Sequence, residues 1–279
     1  MEKLKKSILV TWDFSNVSES ALKHALLLTA NVKYSIVLFH IVEEESEKAA
    51  AVEKLKLKAD EIKKEHEVEL NYAVRTGTIF KAISEYASDE DNNVDMVVMG
   101  THGMKGSQKL LGSWALKVVA GSAVPFLVVQ DATGEELYKD VVFPIDFKSE
   151  NKEKLTWAIF LGKYFNSKVH LYKSPLGDKD LQKRMNVNLN FAIRFLIQNN
   201  IEYEIHEGSK GSQFQKDLLS FSKKIKAGMI LITTTKHITK ADFIFGAREQ
   251  YLISNQEGLA IMCVNPKSNF AKVGQFMYG

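Results

Sequence analysis

The sequence is short of the residues that would tie it to several classes of protein. It has one cysteine in 279 residues, which excludes an intrachain disulfide framework and suits a cytoplasmic setting. No apolar run approaches the roughly 18 residues that a membrane-spanning helix needs. The start, MEKLKKSILVTWDF, has no apolar stretch as long as that of a secretory signal. We therefore expect a cytoplasmic protein with no membrane partner.

A concentration of charge of one sign is also missing. The chain has 37 basic and 34 acidic residues, mixed along its length, for a net charge of +3. A protein that binds nucleic acid needs a concentrated basic face, so the sequence predicts no nucleic-acid partner. Apolar residues make up 45% and charged residues 25% of the chain, which is the balance of an ordinary globular protein.

The common short motifs of enzymes and nucleotide-binding proteins are absent. The chain has no G-x-x-x-x-G-K-[ST] loop and no G-x-G-x-x-G fingerprint, so it is neither a P-loop protein nor a typical dinucleotide binder. It also has no H-E-x-x-H pair, no paired cysteine ligands and no G-x-S-x-G elbow. The sequence therefore predicts no metal site and no catalytic residue.

What the chain does have is one internal repeat. The segment KSILVTWDF near the start returns as KDVVFPIDF, so that Asp146 repeats Asp13 at a distance of 133 positions. Four further apolar segments recur at nearly the same offset, among them VDMVVMG with AGMILITT and VPFLVVQD with LAIMCVNP. A repeat at constant offset indicates two copies of one folding unit.

Each copy alternates continuous apolar runs with segments of helical periodicity. Continuous apolar strands are typical of a parallel sheet that is covered by helices on both faces. We therefore predict an α/β fold with two tandem, doubly wound, five-stranded parallel-sheet domains. The expected domains are residues 1–135 and 136–279, divided near the small polar segment DATGEELY.

The stretch MGTHGMKGSQKLLGSWALKVV carries the candidate binding loop. Gly100 closes the fourth strand, and Gly112-Ser113 opens a helical segment. Ligands of open α/β sheets bind at the carboxyl ends of the strands, and a helix N-terminus attracts phosphate. The same residues would also serve to turn the chain and cap the helix. The spacing leaves both interpretations open.

These residues resemble those of the universal stress protein family in its tandem form. The likeness lies in MGTHG after a fourth strand, GS at a helix start, Asp13 after the first strand and VPFLVV as the fifth strand. Nucleotide-binding members carry G-x2-G-x9-G-[ST], whereas Gly103 and Gly112 here are separated by eight residues. The resemblance implies a Rossmann-like fold and a regulatory protein of the stress response.

The resemblance also implies a ligand, ATP or AMP with or without Mg²⁺, and a set of residues that would bind it. Thr11 and Asp13 would lie at the base and ribose, and the backbone of Ile41 at the adenine. The loop would then hold the ribose and phosphates. The implied site is Thr11, Asp13, Ile41, Gly100, Gly103, Gly112, Ser113 and Trp114.

The second copy lacks most of this loop. GTHG at 100–103 becomes TTTK at 233–236, and Gly112-Ser113 becomes Gly246-Ala247. The added Cβ atoms oppose a close backbone approach to phosphate. We therefore expect the second domain to serve regulation or dimer-like packing. The resemblance implies that the fifth strands, FLVVQ and IMCVN, pair within one chain as a pseudo-dimer, leaving a monomer or a homodimer.

Three functions remain open on the sequence. The first is a regulatory protein that binds an adenine nucleotide and signals to an unidentified protein partner. The second is a slow ATPase or nucleotidyl-transferring enzyme, although efficient phosphoryl transfer needs metal ligands and a positioned nucleophile, and Asp13 is the only evident carboxylate near the loop. The third is an interaction or scaffold module that binds no nucleotide.

Overall fold

The chain divides into two compact units, Met1–Ala132 and Thr133–Gly279. The structure, a computed structural model, describes residues 5–101, 119, 122, 124–130, 137–147, 151–209, 213–234, 248–255 and 257–265. No helix within these residues is both long enough and apolar enough to cross a membrane.

The first unit alternates strands with helices and has the strand order β3-β2-β1-β4-β5. Short 3₁₀ turns at Glu45–Glu47 and Glu90–Asn92 precede α2 and β4. Every strand pair within it is parallel. Its elements are β1 (Ser7–Thr11), α1 (Asn16–Asn31), β2 (Ser35–Val42), α2 (Lys48–His66), β3 (Leu70–Thr76), α3 (Ile79–Ser88), β4 (Val94–Gly100) and β5 (Phe126–Val129).

The second unit repeats this plan with the order β10-β9-β6-β7-β8, again with parallel pairs. Its elements are β6 (Asp140–Pro144), α4 (Asn151–Phe165), β7 (Lys168–Lys173), α5 (Lys179–Gln198), β8 (Tyr203–Glu207), α6 (Phe214–Lys224), β9 (Met229–Thr233), α7 (Arg248–Ile253) and β10 (Ala260–Val264). The predicted fold class, tandem α/β with five parallel strands in each copy, is confirmed.

The central strands form the core because helices cover both of their faces. Along β4, β5 and β10 nearly every side chain is buried, whichever face it points to. The outer strands β3 and β8 alternate between buried or half-buried and exposed side chains. This difference explains the sequence pattern, since only strands covered on both faces need continuous apolar runs.

In both units the chain reverses its winding direction beside the first strand. The strand order grows from β1 to β2 and β3, and then β4 is added on the other side of β1. In the second unit β9 is added beside β6 in the same way. Such a switch leaves a crevice at the carboxyl ends of the two central strands, where open α/β sheets bind ligands.

Candidate functional site

In the first unit the crevice lies between the carboxyl ends of β1 and β4. Thr11 is the last residue of β1, and Gly100 is the last residue of β4. β2 extends further than β1, because the last β1–β2 pair is Thr11 with Phe39 whereas β2 continues to Val42. Ile41 therefore lies beyond the end of β1, in register with Arg75 of β3.

Asp13 is bound to the start of α1. Its Oδ1 accepts hydrogen bonds from the backbone N–H of Ser15, at 3.0 Å, and from the hydroxyls of Ser15 and Ser18. The backbone N–H of Asp13 in turn donates to the Ser18 hydroxyl at 3.0 Å. These bonds form an Asx-type turn that leads into α1 and hold the Ser18 side chain of its first turn. The N-cap of α1 is Ser15, without a side-chain capping bond, so Asp13 supports the turn before the helix and is not the cap considered from the sequence.

An aromatic cluster lies beside Asp13. The ring of Phe14 packs edge-on against Trp12 and His40, with centroids 6.1 and 5.1 Å apart. His40 Nδ1 donates to the backbone carbonyl of Trp12 at 2.7 Å. Phe14 has a φ of 64°, the left-handed region that a bulky residue rarely adopts. The Lys54 ammonium lies 3.8 Å from the Phe14 ring centroid and places a positive charge at this edge.

Gly100 is required by packing against α1. A Cβ at this position would lie 2.5 Å from the carbonyl carbon of Val17 and closer still to its oxygen. The first turn of α1 therefore touches the end of β4 at a distance that only glycine permits. The next residue, Thr101, is buried, and its Oγ1 has no hydrogen-bond partner in the described part of the chain.

The remaining residues of the predicted site, Gly103, Gly112, Ser113 and Trp114, lie outside the described residues. Of the eight predicted positions, the structure thus places Thr11, Asp13, Ile41 and Gly100 at the carboxyl edge of one sheet.

The second unit has a cleft at the corresponding edge, with a volume of about 580 Å³. Its floor is the carboxyl end of β6, and apolar side chains from α5, α6 and α7 form much of its wall. Asp146 lines the cleft at the position equivalent to Asp13. Residues from four strand or helix ends thus converge on one concavity, as ligand sites of this fold class do.

Lys154 is a buried cation in this cleft. Its side chain is only 2% exposed, its ammonium donates to the Pro144 carbonyl at 2.6 Å, and it lies 4.1 Å from the Phe143 ring centroid. Burial lowers the pKa of Lys154 to about 8, although the negative charge of Asp146 opposes the shift. A buried lysine with a depressed pKa in a cleft is a candidate functional group.

Sequence reasoning missed Lys154, Thr101 and Phe14. Lys154 had a detectable signal, since it occupies the position of Ala21 in the first copy. A lysine that replaces an alanine on the buried face of a helix needs an explanation. Thr101 and Phe14 gave no signal in the sequence, because an unpaired hydroxyl and a left-handed backbone are properties of the folded chain.

Among solved structures, the chain resembles a universal stress protein from Archaeoglobus fulgidus DSM 4304 over 94% of its own length and 97% of that chain. The TM-score is 0.76 at 19% sequence identity. This likeness covers both units and shows a shared fold. Two universal stress proteins, each matched over 46% of this chain with a TM-score of 0.37, were solved in complex with cAMP and, from Archaeoglobus fulgidus, with dAMP.

The sequence comparisons each cover a little less than half of the chain. Residues 5–130 match the model of the universal stress protein family. The chain is 29% identical over 161 residues to universal stress protein MJ0577 of Methanocaldococcus jannaschii, covering 98% of that protein and 47% of this chain. It is 30% identical over 146 residues to MJ0531 of the same organism, covering 84% of that protein and 46% of this chain. The chain therefore belongs to the universal stress protein family.

Proposed function

We propose that the first unit binds one adenine nucleotide, ATP or AMP, in the crevice between β1 and β4, and that the chain acts as a nucleotide-responsive regulator in the stress response. One observation carries the proposal. β4 ends at Gly100 beside the topological switch, and the chain continues directly into a glycine-rich segment that resembles the phosphate-binding loop of the family.

Polar groups at this edge support the proposal. Thr101 Oγ1 and Trp12 Nε1 are buried and have no hydrogen-bond partner within the described residues. Buried polar atoms are normally satisfied, so a ligand with hydroxyl or phosphate oxygens fits this edge. Lys54 is exposed and adds a positive charge near the Phe14 ring, which favours an anionic ligand.

The proposed roles follow the position of each residue. Thr11 and the backbone of Ile41, which lie at and beyond the end of β1, would contact the ribose and the base. Asp13 would add a carboxylate at the ribose side while it holds the turn that leads into α1. The loop residues Gly103, Gly112, Ser113 and Trp114 would surround the phosphates, where backbone N–H groups and the Ser113 hydroxyl can donate.

We propose binding rather than rapid turnover. Efficient phosphoryl transfer needs metal ligands and a group that positions the nucleophile. Among the described residues of this edge, Asp13 is the carboxylate next to the end of β1, and its Oδ1 already accepts three hydrogen bonds from Ser15 and Ser18. A carboxylate that anchors a helix is poorly suited to be a general base.

A second candidate function is an interaction module that binds no nucleotide. Two of the described motif residues have sufficient reasons within the fold, because Asp13 holds the turn that leads into α1 and Gly100 admits the carbonyl of Val17. In that case the second unit, the loop and the exposed helix faces would serve a protein partner only. The two candidates differ in one measurable property, the affinity for adenine nucleotides.

The test is calorimetric titration of the intact chain with ATP, ADP and AMP, each with and without Mg²⁺. We expect one nucleotide per chain. The variant Gly112→Val/Ser113→Ala should lower the affinity at least about tenfold, since it blocks backbone approach and removes a hydroxyl donor. Gly246→Val, at the equivalent position of the second copy, is the matched control and should leave the affinity unchanged.

The interaction module would be supported if the intact chain gave no heat with any of the three nucleotides and carried none through purification. Equal losses in the Gly112→Val/Ser113→Ala variant and the Gly246→Val control would contradict a site confined to the first unit. Thermal melting of each variant without nucleotide shows whether it is folded.

A further inference from the structure

Two histidines and a glutamate of the second unit converge on one face of β7 and β8, at positions that do not line the cleft described above. His170 lies on β7, and Glu204 and His206 lie on β8. The register pairs His170 with Glu204 and Tyr172 with His206. Because residues paired across parallel strands share a face and alternate residues of a strand do as well, all three side chains project from the same face of the sheet.

The donor atoms of the three side chains lie within 4.8 Å of one another. His170 Nδ1 is 2.9 Å from His206 Nε2, and His206 Nε2 is 3.9 Å from Glu204 Oε1. The rings of His170 and His206 are tilted by 32°, with centroids 5.1 Å apart. Two imidazole nitrogens and one carboxylate oxygen therefore face a common point.

Two neighbouring charged side chains, Asp140 and Lys168, orient His170 and Glu204 respectively. The Asp140 carboxylate can only accept, so His170 Nε2, at 2.7 Å, donates its proton to Asp140 and leaves Nδ1 as the nitrogen with a free electron pair. Lys168 binds Glu204 Oε2 at 2.9 Å, so that Oε1 is the oxygen turned towards His206. In metal sites, the imidazole nitrogen that does not bind the metal usually donates its proton to a carboxylate, as His170 Nε2 does here to Asp140.

The first copy shows that the fold does not require these groups. By strand register, His170 corresponds to Val37 and His206 to Ala73. Glu204 corresponds to Asn71, and Asp140 to Ser7. The same sheet is thus built in the first unit with no imidazole at these positions. The polar cluster, of which His170 is buried and Glu204 exposed, is a property of the second unit, and the packing of the sheet does not explain it.

We propose that His170, His206 and Glu204 bind one divalent transition-metal ion, for which Zn²⁺ best matches the ligand set. Two imidazole nitrogens and a carboxylate oxygen suit Zn²⁺, which binds them in tetrahedral geometry and accepts a water as its fourth ligand. The side chains of His206 and Glu204 are 19% and 50% exposed, so the ion can enter from solvent and a water can occupy the remaining position.

Two of the three distances between donor atoms need only a small adjustment, and the third, from His170 to Glu204, lies within 4.8 Å and would shorten by up to about 1.5 Å through rotation of the exposed Glu204 side chain. Tetrahedral Zn²⁺ with bonds of about 2.0–2.1 Å holds its ligand atoms about 3.3 Å apart. The two nitrogens, now 2.9 Å apart, would move apart by a few tenths of an ångström, and Glu204 Oε1, now 3.9 Å from His206 Nε2, would move closer by a similar amount. His206 would shift its proton from Nε2 to Nδ1, because both facing nitrogens must offer electron pairs to the ion.

The experiment titrates the chelator-treated, tag-free full chain with ZnCl₂ by calorimetry and repeats it with CoCl₂ by visible absorption. We expect one ion per chain and a Co²⁺ spectrum of low coordination number. His206→Ala and Glu204→Gln should each weaken Zn²⁺ binding at least about tenfold, because each removes a ligand. Asp140→Asn, a positioning variant, should weaken it by about 10- to 100-fold.

His66→Ala is the matched control, since His66 is a half-exposed histidine 3.7 Å from the Glu65 carboxylate in the first unit. It should bind Zn²⁺ like the unaltered chain. The proposal is overturned if the chain takes up no stoichiometric Zn²⁺, or if His206→Ala and Glu204→Gln bind as tightly as His66→Ala. Glu204 lies at the surface, so Glu204→Gln remains a valid test even if His206→Ala fails to fold.

Discussion

The first and second units have the same strand order, yet they carry different residues at the carboxyl edge of the sheet. The first unit ends β4 with Gly100 and has the small Ala21 on the buried face of α1. The second unit ends β9 with Thr233 and has Lys154 on the buried face of α4. One copy therefore continues from this edge into a glycine-rich sequence, and the other has a cleft with a buried cation.

The strands themselves differ in the same direction. Apolar Val37 and Ala73 of the first unit correspond to His170 and His206 of the second. Buried polar groups destabilise a fold unless they are hydrogen-bonded, and here Asp140 accompanies them. Positions that both copies share are those that the sheet needs. At Val37 and Ala73 the second unit has polar groups in place of apolar ones, so the sheet itself does not require either residue type there.

The largest effect is expected from Gly100→Ala. The added Cβ would meet the carbonyl of Val17, and separating α1 from β4 should lower the free energy of unfolding by about 3 kcal/mol. Gly177→Ala in the second unit is the control, since a Cβ there meets nothing within 4 Å. Chemical denaturation of both variants measures the difference. Equal stabilities of the two variants would show that α1 can move away from β4 without a loss of free energy of unfolding, and that glycine is not needed for packing.

Lys154→Met should change how stability depends on pH. The folded chain releases the Lys154 proton near pH 8, whereas an unfolded lysine holds it to about 10.5. Between these values the unfolded state binds more protons, so the free energy of unfolding should rise by about 1.4 kcal/mol per pH unit. Below pH 8 this contribution to the slope disappears.

Urea denaturation from pH 7 to 9.5 measures this slope, and the Lys154→Met chain should lack it because methionine does not titrate. Other groups contribute to both curves and cancel in the difference. Parallel curves for the two chains would mean that Lys154 is not the buried cation of the cleft.

Asp13→Ala should have a moderate effect. It removes the acceptor for the backbone N–H of Ser15 and for two hydroxyls, so we expect a loss of about 1 kcal/mol in the free energy of unfolding without nucleotide. Asp60→Ala, at an exposed position on α2, should change stability by less than half of that. If the two variants unfold at the same denaturant concentration, the hydrogen bonds of Asp13 to Ser15 and Ser18 do not stabilise the start of α1.

The smallest effect is expected from Cys263→Val. Cys263 is fully buried on β10 at the position that Val128 occupies on β5, and burial raises the pKa of its thiol. A substitution of similar volume in a core usually changes stability by less than about 1 kcal/mol. A thiol reagent should not modify the native chain. Rapid modification or a large destabilisation would show that the two copies are not equivalent at this position.

The sequence predicted the sheets because their strands are buried on both faces. β1 and β6 carry the repeated apolar runs, and a constant offset between copies is visible without a structure. The tandem fold and the edge at which Thr11, Asp13 and Gly100 lie could be predicted from these patterns alone.

The polar cluster of the second unit could not be predicted in the same way. His170 and Glu204 are 34 positions apart and meet only through the register of β7 and β8, which the sequence does not specify. The predicted absence of a metal site rested on local spacing between ligands, so the proposed site, whose ligands come from two strands, was not considered. A comparison of the copies position by position would have shown both Lys154 and the histidines as polar replacements.

The contact between Gly100 and Val17 also bears on how binding motifs are recognised in related chains. Because α1 itself demands a glycine at the end of β4, this residue would persist in a descendant that had lost its ligand. Its presence is therefore evidence for the helix–strand contact, and the later glycines are the diagnostic ones. In the second unit Thr233 ends β9 at the equivalent position, so the glycine is a feature of the first unit and not of the repeated fold.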